Sequence, residues 1–186
     1  MKTLKSIFYL LVISLVFTSC SSDDDPAPVN EEEVITTMTV RLTPSAGGNS
    51  ITLQSRDLDG DGPGTPTVTV SGALAANTTY NGSIELLDET DLSDVENITE
   101  EVEEEDEEHQ FFFASAIGTV AYADMDADGN PVGLSFTLST GAATTGAFTV
   151  TLRHEPMKDA AGVSSGDITN AGGETDISET FTVVVQ

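Results

Sequence analysis

The amino-acid sequence predicts a mainly β protein, folded as an antiparallel sandwich with one acidic helical insertion. Residues 34–186 contain about eight short runs of β-branched and apolar residues, with turn residues between them. A single segment, residues 93–108, has helical character, so strands do not alternate with helices as they do in α/β folds. The number and spacing of the runs are typical of two antiparallel sheets packed face to face.

The first 33 residues differ from this pattern. A short basic region and the apolar run 7–17 precede Cys20. They predict a secretory signal peptide over residues 1–19 rather than a transmembrane span, because the apolar run is too short to cross a bilayer. Residues 20–33 are rich in Asp, Pro and Glu and predict an acidic linker. One folded domain, residues 34–186, is expected after it.

The charge and the cysteine content restrict the partners of the protein. The chain has 32 acidic residues against six Lys and Arg, and its formal net charge is -26. Such a charge repels nucleic acid and anionic membrane surfaces and favours cations or basic partners. The single cysteine, Cys20, excludes an intramolecular disulfide and a thiolate metal cluster. Because the chain is so strongly negative, we expect it to bind no nucleic acid.

Alternation of apolar and polar residues predicts the individual strands. The first two, residues 34–42 and 51–55, are separated by a glycine-containing turn and form a predicted hairpin. The later segments of the same character cover residues 67–71, 74–87, 117–123, 132–139, 147–154 and 177–185. Polar, glycine-rich segments between them predict loops.

The segment 74–87 gives the most specific indication of the fold. Tyr80 comes after a short polar stretch and precedes the apolar residues Ile84 and Leu86. This arrangement resembles the corner of immunoglobulin-like and fibronectin type III sandwiches, where a tyrosine hydroxyl ties an entry loop to a core strand. Ala76 stands where many such corners carry proline. The resemblance favours an immunoglobulin/fibronectin-III-like sandwich.

Residues 93–108 are predicted to be helical. Asp and Ser are available as caps, Glu fills the first turn, and Ile98 and Val102 are four residues apart. Two alternatives exist for the residues immediately after this segment. A continuous helix would place His109 on the same side as the two apolar residues, whereas a strand from about Gln110 would turn successive phenylalanines to opposite faces.

The acidic block 100–108 indicates cation binding. Eight of its nine residues are carboxylates, and their like-charge i,i+4 pairs destabilise a helix by about 1 to 2 kcal/mol at low salt. A bound cation would relieve this repulsion. His109 and His154 are the only histidines and each lies beside carboxylates, a combination that suits zinc or another first-row divalent ion. The predicted metal ligands are Glu105, Glu108, His109 and His154. The alternative is an acidic surface with two incidental histidines.

Two loops share the pattern Asp-x-Asp-x-Asp-Gly, which can direct several oxygens at one calcium ion. The aspartates are Asp57, Asp59 and Asp61 in the first loop and Asp124, Asp126 and Asp128 in the second. The position of the closing glutamate of an EF-hand holds Val68 in the first and Ser135 in the second, which excludes that motif. Hairpin turns stabilised by Asp, Gly and Asn are the alternative.

Signatures of the common enzyme classes are missing from the sequence. The chain has no Gly-x-Ser-x-Gly elbow, phosphate-binding loop, His-Glu-x-x-His motif or dinucleotide fingerprint. A carboxylate pair for glycoside hydrolysis is a minor alternative among so many acids. The sequence therefore predicts a non-enzymatic protein.

Four stretches resemble a group of short Bacteroidota lipoproteins, over nearly the whole chain. They are the Cys-Ser-Ser-Asp-Asp-Asp run from Cys20, residues 30–35, the block ending at residues 109–113, and residues 153–177. Members are often labelled "type 1 periplasmic binding fold", a fold of two α/β lobes, whereas the strand pattern of this chain predicts a sandwich. The resemblance implies that Cys20 is lipid-modified and anchors the protein in the outer membrane, surface-exposed, with a TonB-dependent receptor as partner.

These observations lead to one main functional hypothesis. The protein is expected to capture a divalent cation, zinc or calcium, or a metal-bearing ligand, and to deliver it to the receptor. Two alternatives stay open: a glycan- or protein-binding accessory lipoprotein that uses residues 111–113 or the loops, and a structural component of the cell surface.

Overall fold

The computed structural model of the protein describes residues 33–59 and 64–186. The predicted signal peptide (1–19), Cys20, nearly all of the predicted linker (20–33) and Asp61 lie outside these residues. The elements within them are β1 (Thr37–Pro44), β2 (Ile51–Arg56), β3 (Thr67–Val70), β4 (Thr79–Leu87), α1 (Ile98–Glu104), β5 (His109–Ser115), β6 (Gly118–Tyr122), β7 (Ser135–Thr140), β8 (Thr144–His154) and β9 (Glu174–Val185), with short 3-10 turns at Val163–Ser165 and Ile168–Asn170.

The strands form two antiparallel sheets, which confirms the predicted fold class. The larger sheet has the strand order β3-β2-β1-β4-β7-β6, and the smaller sheet has the order β5-β8-β9. Apolar side chains from both sheets meet in one hydrophobic core. The described residues thus form a mainly β sandwich with a single α-helix.

Period-two alternation explains how each sheet buries one face. In β4 every second residue from Tyr80 to Leu86 is buried, and the residues between them are exposed. Gly82 belongs to the buried set and lies opposite Phe136 of β7. A Cβ at Gly82 would lie 2.3 Å from Cζ of the Phe136 ring, so the glycine makes room for a core aromatic side chain.

The tyrosine corner predicted from the sequence is present. The hydroxyl oxygen of Tyr80 accepts a hydrogen bond of 2.7 Å from the backbone N–H of Ala75. The neighbouring Leu74 exchanges backbone hydrogen bonds of 2.9 Å with the end of β9, through Val184 and Gln186. The corner therefore ties the entrance of β4, in the larger sheet, to the last strand of the smaller sheet.

The helix is shorter than predicted. It covers Ile98–Glu104 instead of residues 93–108, although Ile98 and Val102 are buried as expected. Carboxylates repel one another along its length, and the last turn has no basic residue to interact with the helix dipole. Both effects favour an early end, and the chain turns at Glu105 to enter β5.

The strand alternative is the correct one for the residues after the helix. His109 opens β5, and the side chains of the strand alternate between two apolar clusters. Phe111 packs in the main core, whereas Phe112 packs with Val163 and Ala171 in a small second cluster. Phe113 is half-buried against the main core. The phenylalanines therefore serve packing and do not form an exposed surface for a glycan or a protein.

Candidate metal centre

The fold brings the two histidines of the sequence together. His109 is the first residue of β5 and His154 is the last residue of β8, and the two are directly opposite each other in the antiparallel register. Their ring centroids are 4.6 Å apart. Both residues are buried, with 0% exposure for His109 and 3% for His154. Strand pairing therefore creates a site with two imidazoles that the sequence did not predict as neighbours.

A β-bulge adds a carboxylate to this pair. The partners of β8 and β9 change from Leu152 with Ile177 to Arg153 with Thr175, so β9 contains one extra residue, Asp176. A bulge changes the direction in which a side chain points. The side chain of Asp176 is fully buried, and its oxygens lie 4.0 Å from Nε2 of His109 and 3.9 Å from Nδ1 of His154.

The fourth member of the cluster is Glu33, which precedes β1. One carboxylate oxygen lies 3.5 Å from Nε2 of His109, and the other lies 3.7 Å from Nδ1 of His154. The side chain is only 5% exposed. Glu33 therefore points into the protein toward both imidazoles, whereas the sequence predicted a solvated linker residue at this position.

The geometry of the four side chains suits one metal ion. Glu33, His109, His154 and Asp176 each offer one donor atom, and these atoms all lie within 4.8 Å of one another. Zinc bonds of about 2.0 to 2.2 Å place the donors of a tetrahedron about 3.3 to 3.6 Å apart. The imidazole–carboxylate distances of 3.5 to 4.0 Å are at or slightly above this range. Small inward movements would complete the coordination, so the cluster can hold a metal ion.

A backbone contact orients His109 for this role. Its Nδ1 lies 3.1 Å from the carbonyl oxygen of Glu105. Since a carbonyl oxygen only accepts, Nδ1 carries the proton and Nε2 is directed at the carboxylates. In metal sites a hydrogen bond to the second ring nitrogen commonly fixes the tautomer in this manner.

The electrostatics of the cluster also favour a cation. Burial lowers the pKa of His109, but Glu33, the Glu105 carbonyl and Asp176 outweigh burial and raise that pKa above its ordinary value. Conversely, the contact with His109 is the main reason why the pKa of Glu33 is lowered. Among the described residues, Nε2 of His109 and one oxygen of Glu33 are buried without a hydrogen-bond partner. Burying such atoms is unfavourable by about 1 to 3 kcal/mol each, and a bound ion would satisfy both.

The two predicted carboxylate ligands, Glu105 and Glu108, flank the buried centre. Glu105 forms a donor group with Glu101, which is also exposed, and with the buried side chain of Glu33. Glu108 is 57% exposed, and its carboxylate lies 3.9 Å from Nε2 of His154, in a second exposed group with Glu155. Both predicted residues are therefore close to the centre, but the carboxylates inside it belong to Glu33 and Asp176.

Sequence reasoning missed these two carboxylates for different reasons. Glu33 ends a run of three glutamates, and nothing in the run distinguishes it from a solvated linker residue. Asp176 lies just after a glycine-rich segment and faces inward only because of the bulge in β9. Both residues lie within stretches on which the resemblance described above depends, residues 30–35 and 153–177, but the resemblance marks neither of them as a ligand.

The second aspartate loop is organised by its own hydrogen bonds. One carboxylate oxygen of Asp126 accepts from the backbone N–H groups of Asp128 and Asn130, and the other lies 2.8 Å from Nζ of Lys158. Both oxygens of Asp124 accept hydrogen bonds of 2.7 Å, one from the backbone N–H of Gly133, before β7, and one from that of Ser135, the first residue of β7. These contacts account for Asp124 and Asp126 as turn-forming residues, the alternative that the sequence left open.

The first aspartate loop borders a cleft next to the metal centre. Asp57 and Asp59 line a cleft of about 580 Å³, which Glu33 and Asp176 also line. A hydrogen bond with Asp59 raises the pKa of Asp57, and Asp59 further accepts from the backbone N–H of Gly64. The two aspartates thus interact with each other and with their own loop.

The fold and the cluster together define a mainly β protein whose buried histidines and carboxylates can hold a metal ion. Comparison of the chain with protein-family models, with curated proteins and with solved structures finds no match. Among the described residues, none of the helices has the length and apolar character needed to span a membrane.

Proposed function

We propose that this protein is a non-enzymatic lipoprotein that captures a divalent metal ion outside the cell. The ion is bound by Glu33, His109, His154 and Asp176. The observation that carries this proposal is the convergence of four buried donor atoms within 4.8 Å, two from imidazoles and two from carboxylates.

The donor set favours a first-row ion such as zinc over calcium. Calcium takes six to eight oxygen ligands, whereas imidazole nitrogen suits zinc and its neighbours in the first transition row. Four protein donors also fill a tetrahedral zinc site. Catalytic zinc sites keep one position for water or substrate, so a closed set supports a binding role rather than hydrolysis.

The cellular part of the proposal rests on the sequence. The signal peptide and Cys20 support a lipid anchor, and the family resemblance supports the outer membrane, surface exposure and a TonB-dependent receptor as the recipient of the ion. The net charge of -26 favours cation capture in that location. If deletion of the gene left growth under zinc limitation unchanged, the uptake role would be refuted while metal binding itself stood.

Calorimetric titration with zinc tests the binding step. The protein would be prepared as a soluble chain beginning at Ser21 and compared with the double variant His109→Ala/His154→Ala. We expect saturable binding of one ion in the wild type and its loss in the variant. Glu100→Gln/Glu104→Gln, which removes two exposed acids from α1, is the matched control and should bind normally. Weak, salt-sensitive binding that the histidine substitutions do not change would refute the specific site. It would mean that the acidic block only attracts cations nonspecifically at the surface.

A further inference from the structure

We propose that Arg153 is a positioning residue of the metal centre, because its guanidinium group holds the turn that directs Asp176 at the ion. This inference rests on the proposed metal-binding function and concerns how one of the ligands obtains its direction. Arg153 lies on β8, immediately before His154, and its side chain is half-buried.

Strand pairing alone does not determine the direction of Asp176. The two histidines are directly opposite each other in the regular register between β5 and β8. Asp176, in contrast, is the extra residue of the bulge in β9, between the pairs Leu152–Ile177 and Arg153–Thr175. A bulged residue is left unpaired, and the ladder is locally disrupted around it. The direction of its side chain must therefore come from contacts on either side of the bulge.

The turn that leads into the bulge has little conformational preference of its own. Gly172 and Gly173 follow each other with φ values of 61° and 64°, in the left-handed region. Glycine adopts this region readily, but it also loses more conformational freedom on folding than any other residue. The fit is close at this point, because a Cβ at Gly173 would lie 2.1 Å from the carbonyl oxygen of His154. The turn therefore needs contacts from the rest of the protein to hold it against β8.

Arg153 supplies such contacts with its whole guanidinium group. Nε donates to the carbonyl oxygen of Gly172 at 3.0 Å, and Nη2 donates to the carbonyl oxygens of Gly172 and Gly173. Nη1 donates to the hydroxyl oxygen of Thr175. One planar group thus binds three of the four residues that precede Asp176. A rigid fork of several donors is the property that distinguishes arginine from lysine.

Arg153 acts on the centre through the chain and not by direct contact. Its neighbours Leu152 and His154 are buried, so the side chain of Arg153 points to the opposite, outer face of the sheet. Its positive charge would also oppose the binding of a cation. Removal of the charge alone would therefore strengthen zinc binding or, after screening by salt, leave it unchanged. A positioning role predicts the opposite sign, weaker zinc binding.

Lys158 is the other basic residue near the centre, and it is less suitable for this role. Its Nζ donates to the carbonyl oxygen of Asp106, in the turn before β5, and lies 2.8 Å from the carboxylate of Asp126. Both side chains of this ion pair are buried, so removal of one partner destabilises the whole fold. A loss of zinc binding after its substitution would not distinguish positioning from unfolding.

Calorimetric titration of Arg153→Met and Arg153→Lys with zinc tests the inference, with the protein prepared as for the histidine variant. Methionine removes every donor, and lysine keeps the charge but not the planar fork. We expect the dissociation constant to rise about 10- to 100-fold in both variants, the range known for residues that orient metal ligands. The melting temperature of the metal-free protein should stay within about 4 °C of wild type, because water replaces exposed hydrogen bonds. A general structural residue would not separate affinity from stability in this way.

A double-mutant cycle with Asp176→Asn identifies the ligand through which Arg153 acts. Asp176→Asn keeps the other three ligands and should still bind zinc, although more weakly. In this background we expect Arg153→Met to change the dissociation constant by less than about twofold, since the carboxylate that Arg153 positions is already lost. The matched control is Arg41→Met, which removes an exposed arginine from β1 and should bind zinc as wild type does.

Three results would overturn the inference. Unchanged or tighter binding in Arg153→Met would mean that only the charge of Arg153 reaches the centre. Wild-type binding in Arg153→Lys would mean that the planar fork is not needed. Equal weakening with and without the Asp176 carboxylate would mean that Arg153 supports the fold as a whole. Absence of saturable binding in the wild type would instead refute the proposed function.

Discussion

Asp176→Asn separates a metal ligand from a structural residue. The substitution keeps the shape of a fully buried side chain but removes its charge and one donor oxygen from the centre. At a free zinc concentration of one hundred times the dissociation constant, binding stabilises the folded wild type by about 2.7 kcal/mol. For a domain of this size, that corresponds to an increase in melting temperature of roughly 5 to 11 °C. Asp176→Asn should lose most of this increase.

A comparison of Asp176→Asn with wild type in the absence of zinc separates the loss of a ligand from a loss of intrinsic stability. In the metal-free protein, the repulsion between Asp176 and Glu33 opposes the attraction of Asp176 to a protonated His109, so the substitution should change the metal-free melting temperature by less than the zinc effect. Thermal unfolding followed by circular dichroism, with zinc and with a chelator, measures the melting temperatures of the metal-bound and the metal-free protein. Glu179→Gln, which alters another acid of β9 on the cleft, is the control and should keep the full zinc effect. If Asp176→Asn also kept the full zinc-induced increase in melting temperature, Asp176 would not be a ligand.

Three further predictions concern the scaffold. Lys158→Met should lower the free energy of unfolding by about 3 to 5 kcal/mol at pH 7, because it leaves the buried Asp126 carboxylate without its cation. Burial raises the pKa of Asp126, but Lys158 and backbone amides outweigh burial and lower that pKa below its ordinary value. The stabilisation is therefore lost as acid protonates Asp126, and the difference in stability between wild type and variant should narrow in acid denaturation curves. Tyr80→Phe should lower stability to urea by about 1 to 3 kcal/mol, since the Ala75 amide loses its acceptor. Gly82→Ala should lower it by about 1 to 3 kcal/mol through overpacking against a core ring. An unchanged urea midpoint in Tyr80→Phe or in Gly82→Ala would contradict the prediction for that variant.

The sandwich was predictable because its strands obey local rules. Alternation places the apolar side chains of β4 on one face, and Tyr80 occupies its corner as the sequence indicated. The helix was overextended because glutamate favours helices residue by residue, whereas its end depends on repulsion between carboxylates and on the entry into β5. Local propensity thus gave the element but not its length.

The metal centre was predictable only in part. The chemistry of His109 and His154 was sufficient to propose both as ligands, but their proximity depends on the register between β5 and β8. The inward direction of Asp176 depends on a bulge, and that of Glu33 on how the chain approaches β1. Register, bulges and chain approach are long-range properties, and no pattern of neighbouring residues encodes them.

The order of the four candidate ligands along the chain has a consequence for biogenesis. Glu33 precedes the first strand of the domain, and Asp176 lies on the last one. The full ligand set therefore exists only once β9 has docked beside β8, after almost the entire domain has been synthesised. A nascent or C-terminally truncated chain would present both histidines without Asp176. Tight retention of the ion would then report that folding is complete, and newly made chains would carry no cargo until they reach the compartment in which folding ends.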